Sequence, residues 1–235
     1  MSACAPLSST VRPHMQGHRA ASPGDLIASS ANVYLPQIGM QRKGRSRIWF
    51  KDNRWWLTVV EFQPSSWSKG TYLNVAANWL WHAKDHLAFD VFERVEGFAD
   101  FTDSRDFAIA ANKYASRAAK EVQALERKFS TLSSVANHLR SNTEGNPWHH
   151  YHAMMASLAN GELALARTQQ QALSRVQHDV PWCTELKVQA KAILSEAADT
   201  ASARAVVSRE VASARAQLGL SAIEPPEIWL PRDEA

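Results

Sequence analysis

At 235 residues, with 45% hydrophobic and 21% charged side chains, the chain is long enough to bury a core without disulfide or metal staples. Its formal charge of +3 argues neither for nor against nucleic acid, and no apolar run is long enough to span a bilayer, which excludes a membrane-spanning role. Only Cys4 and Cys183 are present, so no disulfide framework is implied. The first residues lack the apolar stretch of a secretory signal, and a reducing, cytoplasmic location is expected.

Residues 1–24 are rich in Ser, Ala, Pro, Gly and His without periodicity, and disorder is expected there. A leading helix is predicted from Asp25, as N-cap, to Leu35, with Leu26, Ile27, Val33 and Leu35 as its apolar side chains and Pro36 as its end. Strand character follows. Ser46 to Lys51 and Arg54 to Phe62 flank Asp52-Asn53, a pair that tolerates the backbone of a tight hairpin turn. In Thr71 to Trp81, Leu73, Val75, Ala77, Trp79 and Trp81 alternate with Tyr72, Asn74, Ala76 and Asn78, which predicts one core face and one more polar, partly open face. Leu87 to Val95 and Gly97 to Phe101 add one or two strands.

The period changes at Asp103. With Asp103 as cap and Asp106 three residues on, Phe107, Ala111, Tyr114, Ala118, Val122, Leu125 and Phe129 step by three and four along one helical face. Further helices are predicted at Thr131–Arg140, Trp148–Ala159, Glu162–Val176, Thr184–Ala197 and Thr200–Leu218, separated by the Asn142–Pro147 loop, Asn160-Gly161 and Asp179-Val180-Pro181. Within them, residues 153–173 resemble a single tetratricopeptide-type hairpin, with no second copy at that period. Pro225-Pro226 predicts an extended tail over 221–235, anchored by Ile228, Trp229 and Leu230. The expected architecture is α+β: a mainly antiparallel sheet domain with a leading helix over 25–103, and a helical domain of about five to six helices over 104–220.

The residues that suggest recognition lie around the first hairpin. Arg42, Lys43, Arg45, Arg47, Lys51 and Arg54 are opposed locally only by Asp52, and Trp49, Trp55, Trp56 and Trp67 are interleaved with or close to them. Charge for phosphates and rings for stacking are the two parts of single-strand recognition. The same residue types dominate protein interfaces, and cationic residues also guard exposed sheet edges. On the polar face of the third strand, Tyr72, Asn74 and Asn78 offer contact area and hydrogen bonds to a partner.

Catalytic chemistry is poorly represented. His82 and His86, four apart with Asp85 and Asp90 nearby, are metal candidates by spacing, but the segment reads as a loop; His149, His150 and His152 read as surface histidines of a first helical turn. Glu61, Asp90, Glu93, Glu96, Asp100, Asp103 and Asp106 are spaced as a charged surface, and Cys183 as a small buried side chain. No nucleophile with a local base, glycine-rich phosphate loop or Cys-x-x-Cys pair occurs, so no cofactor is expected.

The ordered motifs Gly39-Met40-Gln41-Arg42-Lys43-Gly44, Ile48-Trp49-Phe50, Val59-Val60-Glu61-Phe62-Gln63-Pro64-Ser65, Trp67 and Tyr72-Leu73-Asn74-Val75 resemble a bacterial domain-of-unknown-function family of the DUF4304 type over residues 25–105. The pattern departs at Met40, where an aromatic is usual, and at Pro64. The resemblance implies an α+β fold and a small binder of the kind found beside toxin and defence genes, and it supplies no mechanism. The leading expectation is non-enzymatic, immunity- or regulator-like binding of another protein, such as a toxin or a regulatory target. The alternative is a nucleic-acid-binding or nuclease-associated factor acting through the Arg42–Arg54 hairpin; a hydrolase comes third.

Overall fold

The computed structural model describes residues 21–141 and 146–229. Most of the segment expected to be disordered, most of the Asn142–Pro147 loop, Cys4 and Leu230 lie outside the described residues. The chain is α+β, with a five-stranded antiparallel sheet that follows one helix and precedes the others.

Helix α1 (Pro23–Tyr34) starts earlier than Asp25. Ser22 is the cap: its Oγ accepts from the Asp25 amide at 3.3 Å, and the Asp25 carboxylate accepts from the Ser22 amide at 3.1 Å. Pro23 fits in the first turn because an amide there has no helical acceptor. After a 3₁₀ turn at Pro36–Ile38 come strands β1 (Gln41–Arg42), β2 (Ile48–Asp52), β3 (Trp56–Gln63), β4 (Gly70–Trp79) and β5 (Val91–Asp100), paired in that order as a meander.

Two details of the sheet differ from expectation. The β2–β3 turn uses Asn53, Arg54 and Trp55, and its left-handed residue is Arg54, φ 74°, whose amide is held at 2.8 Å by the Asp52 carboxylate. One strand follows β4, within the one or two expected, but it starts at Val91 rather than Leu87, and residues 82–90 are a loop tied to β4 by Asp90 and Asn78. At Gly70, φ 153°, a Cβ would lie 2.1 Å from the Ala99 carbonyl oxygen, so β4 and β5 meet there only because the residue is glycine.

On one sheet face Trp49, Val60, Phe62, Leu73 and Val75 pack with α1 and with α2 (Ser104–Lys128). Helix α2 is capped by Asp103, which accepts from the amides of Arg105 and Asp106 at 2.8 and 3.0 Å. Its predicted stripe, Phe107, Ala111, Tyr114, Ala118 and Val122, is the buried one. Although α2 follows the change of period, it lies on the sheet beside α1. The remaining helices form a second layer: α3 (Leu132–Ser141), α4 (Pro147–Ala159), α5 (Leu163–Arg175), α6 (Pro181–Glu196) and α7 (Thr200–Gln217). They share a second core with Leu57, Val59, Ala76 and a tryptophan cluster at the end of β3 and β4.

In that cluster Trp79 lies parallel to Trp55 and Trp81, with centroids 5.9 and 5.2 Å away, and Phe129 meets it edge-on at 5.2 Å. Each fully buried ring of this kind contributes about 1.5–3 kcal/mol of transfer free energy. The expectation of an extended tail is corrected by α8 (Pro225–Ile228). A double proline cannot sit inside a helix but starts one well, since first-turn amides have no partner to lose. Ile228 is buried and the Trp229 indole donates to Ser208 Oγ at 3.0 Å.

Candidate interaction site

The hairpin does not present a row of rings. Trp49 is fully buried, Trp55 and Trp56 nearly so, and their faces are taken up by core contacts. Trp49 is therefore corrected from a recognition residue to a core residue: its strand partner is Val60, and Phe62 meets it edge-on at 5.4 Å. Arg42 is spent locally. Its guanidinium lies 5.1 Å from the Trp49 ring centroid and donates to the Ser46 and Arg45 carbonyls at 2.7 and 3.0 Å, closing the β1–β2 turn. Lys43 and Arg45 are exposed, whereas Lys51 pairs with Glu126 at 2.8 Å and Arg54 donates to the Glu227 carbonyl at 2.9 Å. The basic patch of the sequence is thus divided between separate local tasks.

The polar row on β4 is also corrected. Asn74 and Asn78 are each 2% exposed, so neither is offered to a partner. The Asn74 amide donates to Glu61 and Gln63 on β3 at 3.0 and 3.1 Å; Asn78 accepts from the Ala88 amide at 2.9 Å and ties β4 to the 82–90 loop. Tyr72 is half-buried, between Phe98 and the Arg94 guanidinium, which lies 4.2 Å from its ring centroid.

Two of the sequence candidates do come together. Trp67, on the β3–β4 loop, is 95% exposed, and with Arg47 it lines a cavity of about 650 Å³ at the sheet end opposite the tryptophan cluster. The Ser65 hydroxyl accepts from the Trp67 amide at 3.1 Å and shapes the loop. Arg47 donates to the Gly70 carbonyl at 3.3 Å across the mouth of the β3–β4 connection, and the Phe101 amide bonds the Lys69 carbonyl at 2.8 Å on the other side. The first residues of α1 close the rim. Burial lowers the Arg47 pKa from its ordinary value, which marks a guanidinium partly removed from water. Lys69 went unnoticed in the sequence, since only its place beside Trp67 in a serine-rich loop could have flagged it.

The metal candidates are dispersed. His86 faces solvent beside Asp85, 2.8 Å away, while His82 turns inward against Trp148 and Tyr151 at 4.7 and 5.4 Å. Among the described residues no group of three or more His, Cys, Asp or Glu is placed to hold a metal ion. Asp90 instead organises the joint between sheet and helices. It accepts from the Trp79 amide at 2.8 Å and from Lys84 at 3.1 Å, and faces His152 Nε2 at 3.4 Å, too long and misaligned for a formed hydrogen bond. His152 Nδ1 accepts from the Trp81 indole at 3.0 Å, which turns Nε2 toward Asp90. Burial alone would raise the Asp90 pKa; His152, Lys84 and the Trp79 amide together outweigh it and hold the carboxyl well below the usual range.

His82 gives this joint a pH dependence. Burial first, then the nearby Lys84 and His152, push its pKa down to about 4 against the opposing pull of Asp90. The unfolded chain, with an ordinary histidine, binds the proton more readily, so stability falls as pH drops from about 6.5 toward 4. The expected loss from this group is about 2–3 kcal/mol at the bottom of that window. In urea titrations across it, His82→Gln should flatten the decline relative to wild type; parallel curves would assign the acid sensitivity elsewhere.

The chain matches no protein-family model, no curated protein and no solved structure. No helix among the described residues is long and apolar enough to cross a membrane.

Proposed function

We propose that the chain is a non-enzymatic, immunity- or regulator-like protein that binds another protein, and that Trp67 is the anchor of its binding surface. The observation that carries this reading is a tryptophan 95% exposed on the rim of a cavity of about 650 Å³ that also holds a half-buried arginine. An exposed indole costs solubility and gains nothing from the fold, whereas Trp and Arg in a concave setting are the side chains that dominate interface energies. The resemblance of residues 25–105 to the DUF4304 type of family points to the same class of role.

Trp67→Ala should leave the unfolding transition unchanged, because the ring is in water. It should weaken a reconstituted complex with the native partner by about thirtyfold or more, measured calorimetrically with a protein first captured on the tagged wild type. Equal affinity of the two forms would remove Trp67 from the interface. Nucleic-acid binding loses Trp49, Trp55 and Trp56 to the core and keeps Trp67 as a single exposed ring, too little for a platform on which successive bases stack. Retention of single-stranded DNA or RNA at physiological salt is therefore not expected.

A further inference from the structure

We propose that the Trp67 cavity receives an extended acidic segment of the partner protein, with a carboxylate seated on Arg47 and Lys69 and a neighbouring apolar side chain against Trp67 and Phe101. This rests on the protein-binding reading above and names the chemistry of what is bound.

Charge is the first argument. The described lining carries two cations and no carboxylate. Elsewhere several partly buried cations meet a carboxylate, Lys51 with Glu126, Lys84 with Asp90, Arg140 with Glu162 and Arg215 with Asp52, while Arg42, Arg54 and Lys187 reach backbone carbonyls. Among the described residues Arg47 meets no carboxylate and donates to a single carbonyl, that of Gly70, and the Lys69 side chain has no bonded partner. A guanidinium partly withdrawn from water with most of its donors unfilled carries a desolvation cost that an arriving carboxylate offsets, and its planar fork suits two oxygens at once. Of the acids near the lining in sequence, Asp25 turns its carboxylate onto Ser22 as the α1 cap, and Asp100, opposite Gly70 in the sheet, is exposed and outside the lining.

Shape and rigidity are the second argument. The walls beside the cations are apolar, formed by Pro23, Pro64, Trp67 and Phe101, which favours a peptide side chain over a bare phosphate. Ser66 and Ser68, whose hydroxyls make no hydrogen bond among the described residues, line the same space and can meet a peptide backbone. Arg47 is fixed by the ladder, because its carbonyl accepts from the Phe62 amide at 2.9 Å while its side chain holds Gly70. A cation already in place loses little freedom on binding.

The test uses the full chain and three fluorescein-labelled heptapeptides of alternating pattern: Glu with Leu, Gln with Leu, and Lys with Leu, alongside an oligothymidine. Anisotropy titrations should show binding of the Glu peptide only, weakened by added salt, and weakened about tenfold or more in Arg47→Met and in Lys69→Gln. Lys69→Gln keeps the measurement decisive even if Arg47→Met disturbs the β3–β4 connection, since the Lys69 side chain is exposed and has no bonded partner among the described residues. Equal binding of the Gln peptide, preference for oligothymidine, or full affinity in Lys69→Gln overturns the proposal. If partner capture depends on Trp67 but ignores both cation substitutions, the acidic segment is wrong and the protein-binding reading stands; if Trp67→Ala has no effect either, that reading falls too.

Discussion

Trp79→Ala should lower the stability of the folded chain by about 3–5 kcal/mol, the range for truncating a fully buried aromatic. Trp79 is 0% exposed and sits where β4 ends, so it belongs to the sheet by its backbone and to the helical layer by its ring. Trp55, Trp81, Trp56 and Phe129 all have ring centroids within 5.9 Å of it. Removing it leaves a void bounded by stiff rings that cannot collapse, and the cavity term rises with the volume left behind. Its indole nitrogen has no hydrogen-bond partner, so a smaller ring without that N–H should recover part of the loss. Trp79→Phe is accordingly expected between wild type and Trp79→Ala in urea midpoint, with an unchanged slope. A cost below about 1 kcal/mol for the alanine variant would mean that the two layers are held together elsewhere.

The helices were legible in the sequence because their signals are local. Asp103 caps α2 through amides two and three residues away, and the stripe from Phe107 to Val122 is visible as spacing alone. Proline at the start of α4 and of α6 marks boundaries in the same way. The strands were legible as strands and misjudged as surfaces. Alternation in β4 correctly separates Leu73 and Val75 from Tyr72 and Asn74, but it does not say what covers the second face. Asn74 is buried by carboxylate and amide partners on β3, and Asn78 by a loop ten residues on; polar side chains read as solvent-facing until such partners are known.

The candidate site was legible only in its parts. Trp67 and Arg47 were visible as residue types suited to recognition, and so were Trp49 and Arg42, which the fold consumes internally. What separates the two pairs is position: Trp49 sits within a paired strand on the face covered by α1 and α2, and Trp67 sits in a loop outside both cores. Among tryptophans of one composition, sequence density marks a core or a surface without distinguishing them.

Asp52→Ala is the second substitution with a large expected effect, and it should cost more than Arg215→Met although both break one ion pair. Nothing in the last turn of α7 marks Arg215 as internal, yet it is 1% exposed and docks that helix on the β2–β3 turn. Both its terminal nitrogens grip Asp52, at 2.9 and 2.7 Å, and its remaining donors reach the carbonyls of Arg54 and Ser221 at 2.6 to 2.9 Å. All five N–H groups are thereby used. Removing Asp52 strands a buried guanidinium without its counter-charge, for which about 3–5 kcal/mol is the usual loss, and also frees the Arg54 amide that shapes the turn. Arg215→Met keeps much of the side-chain volume and leaves behind a carboxylate about a quarter exposed, which water can solvate, so about 1–3 kcal/mol is expected. Arg215→Lys should rescue little, because an ammonium cannot reproduce the planar fork that holds two oxygens of one carboxylate. Chemical denaturation of the three variants tests this order. An Arg215→Met variant less stable than Asp52→Ala would show that α7 is held by the carbonyl contacts and that the charge pair adds little.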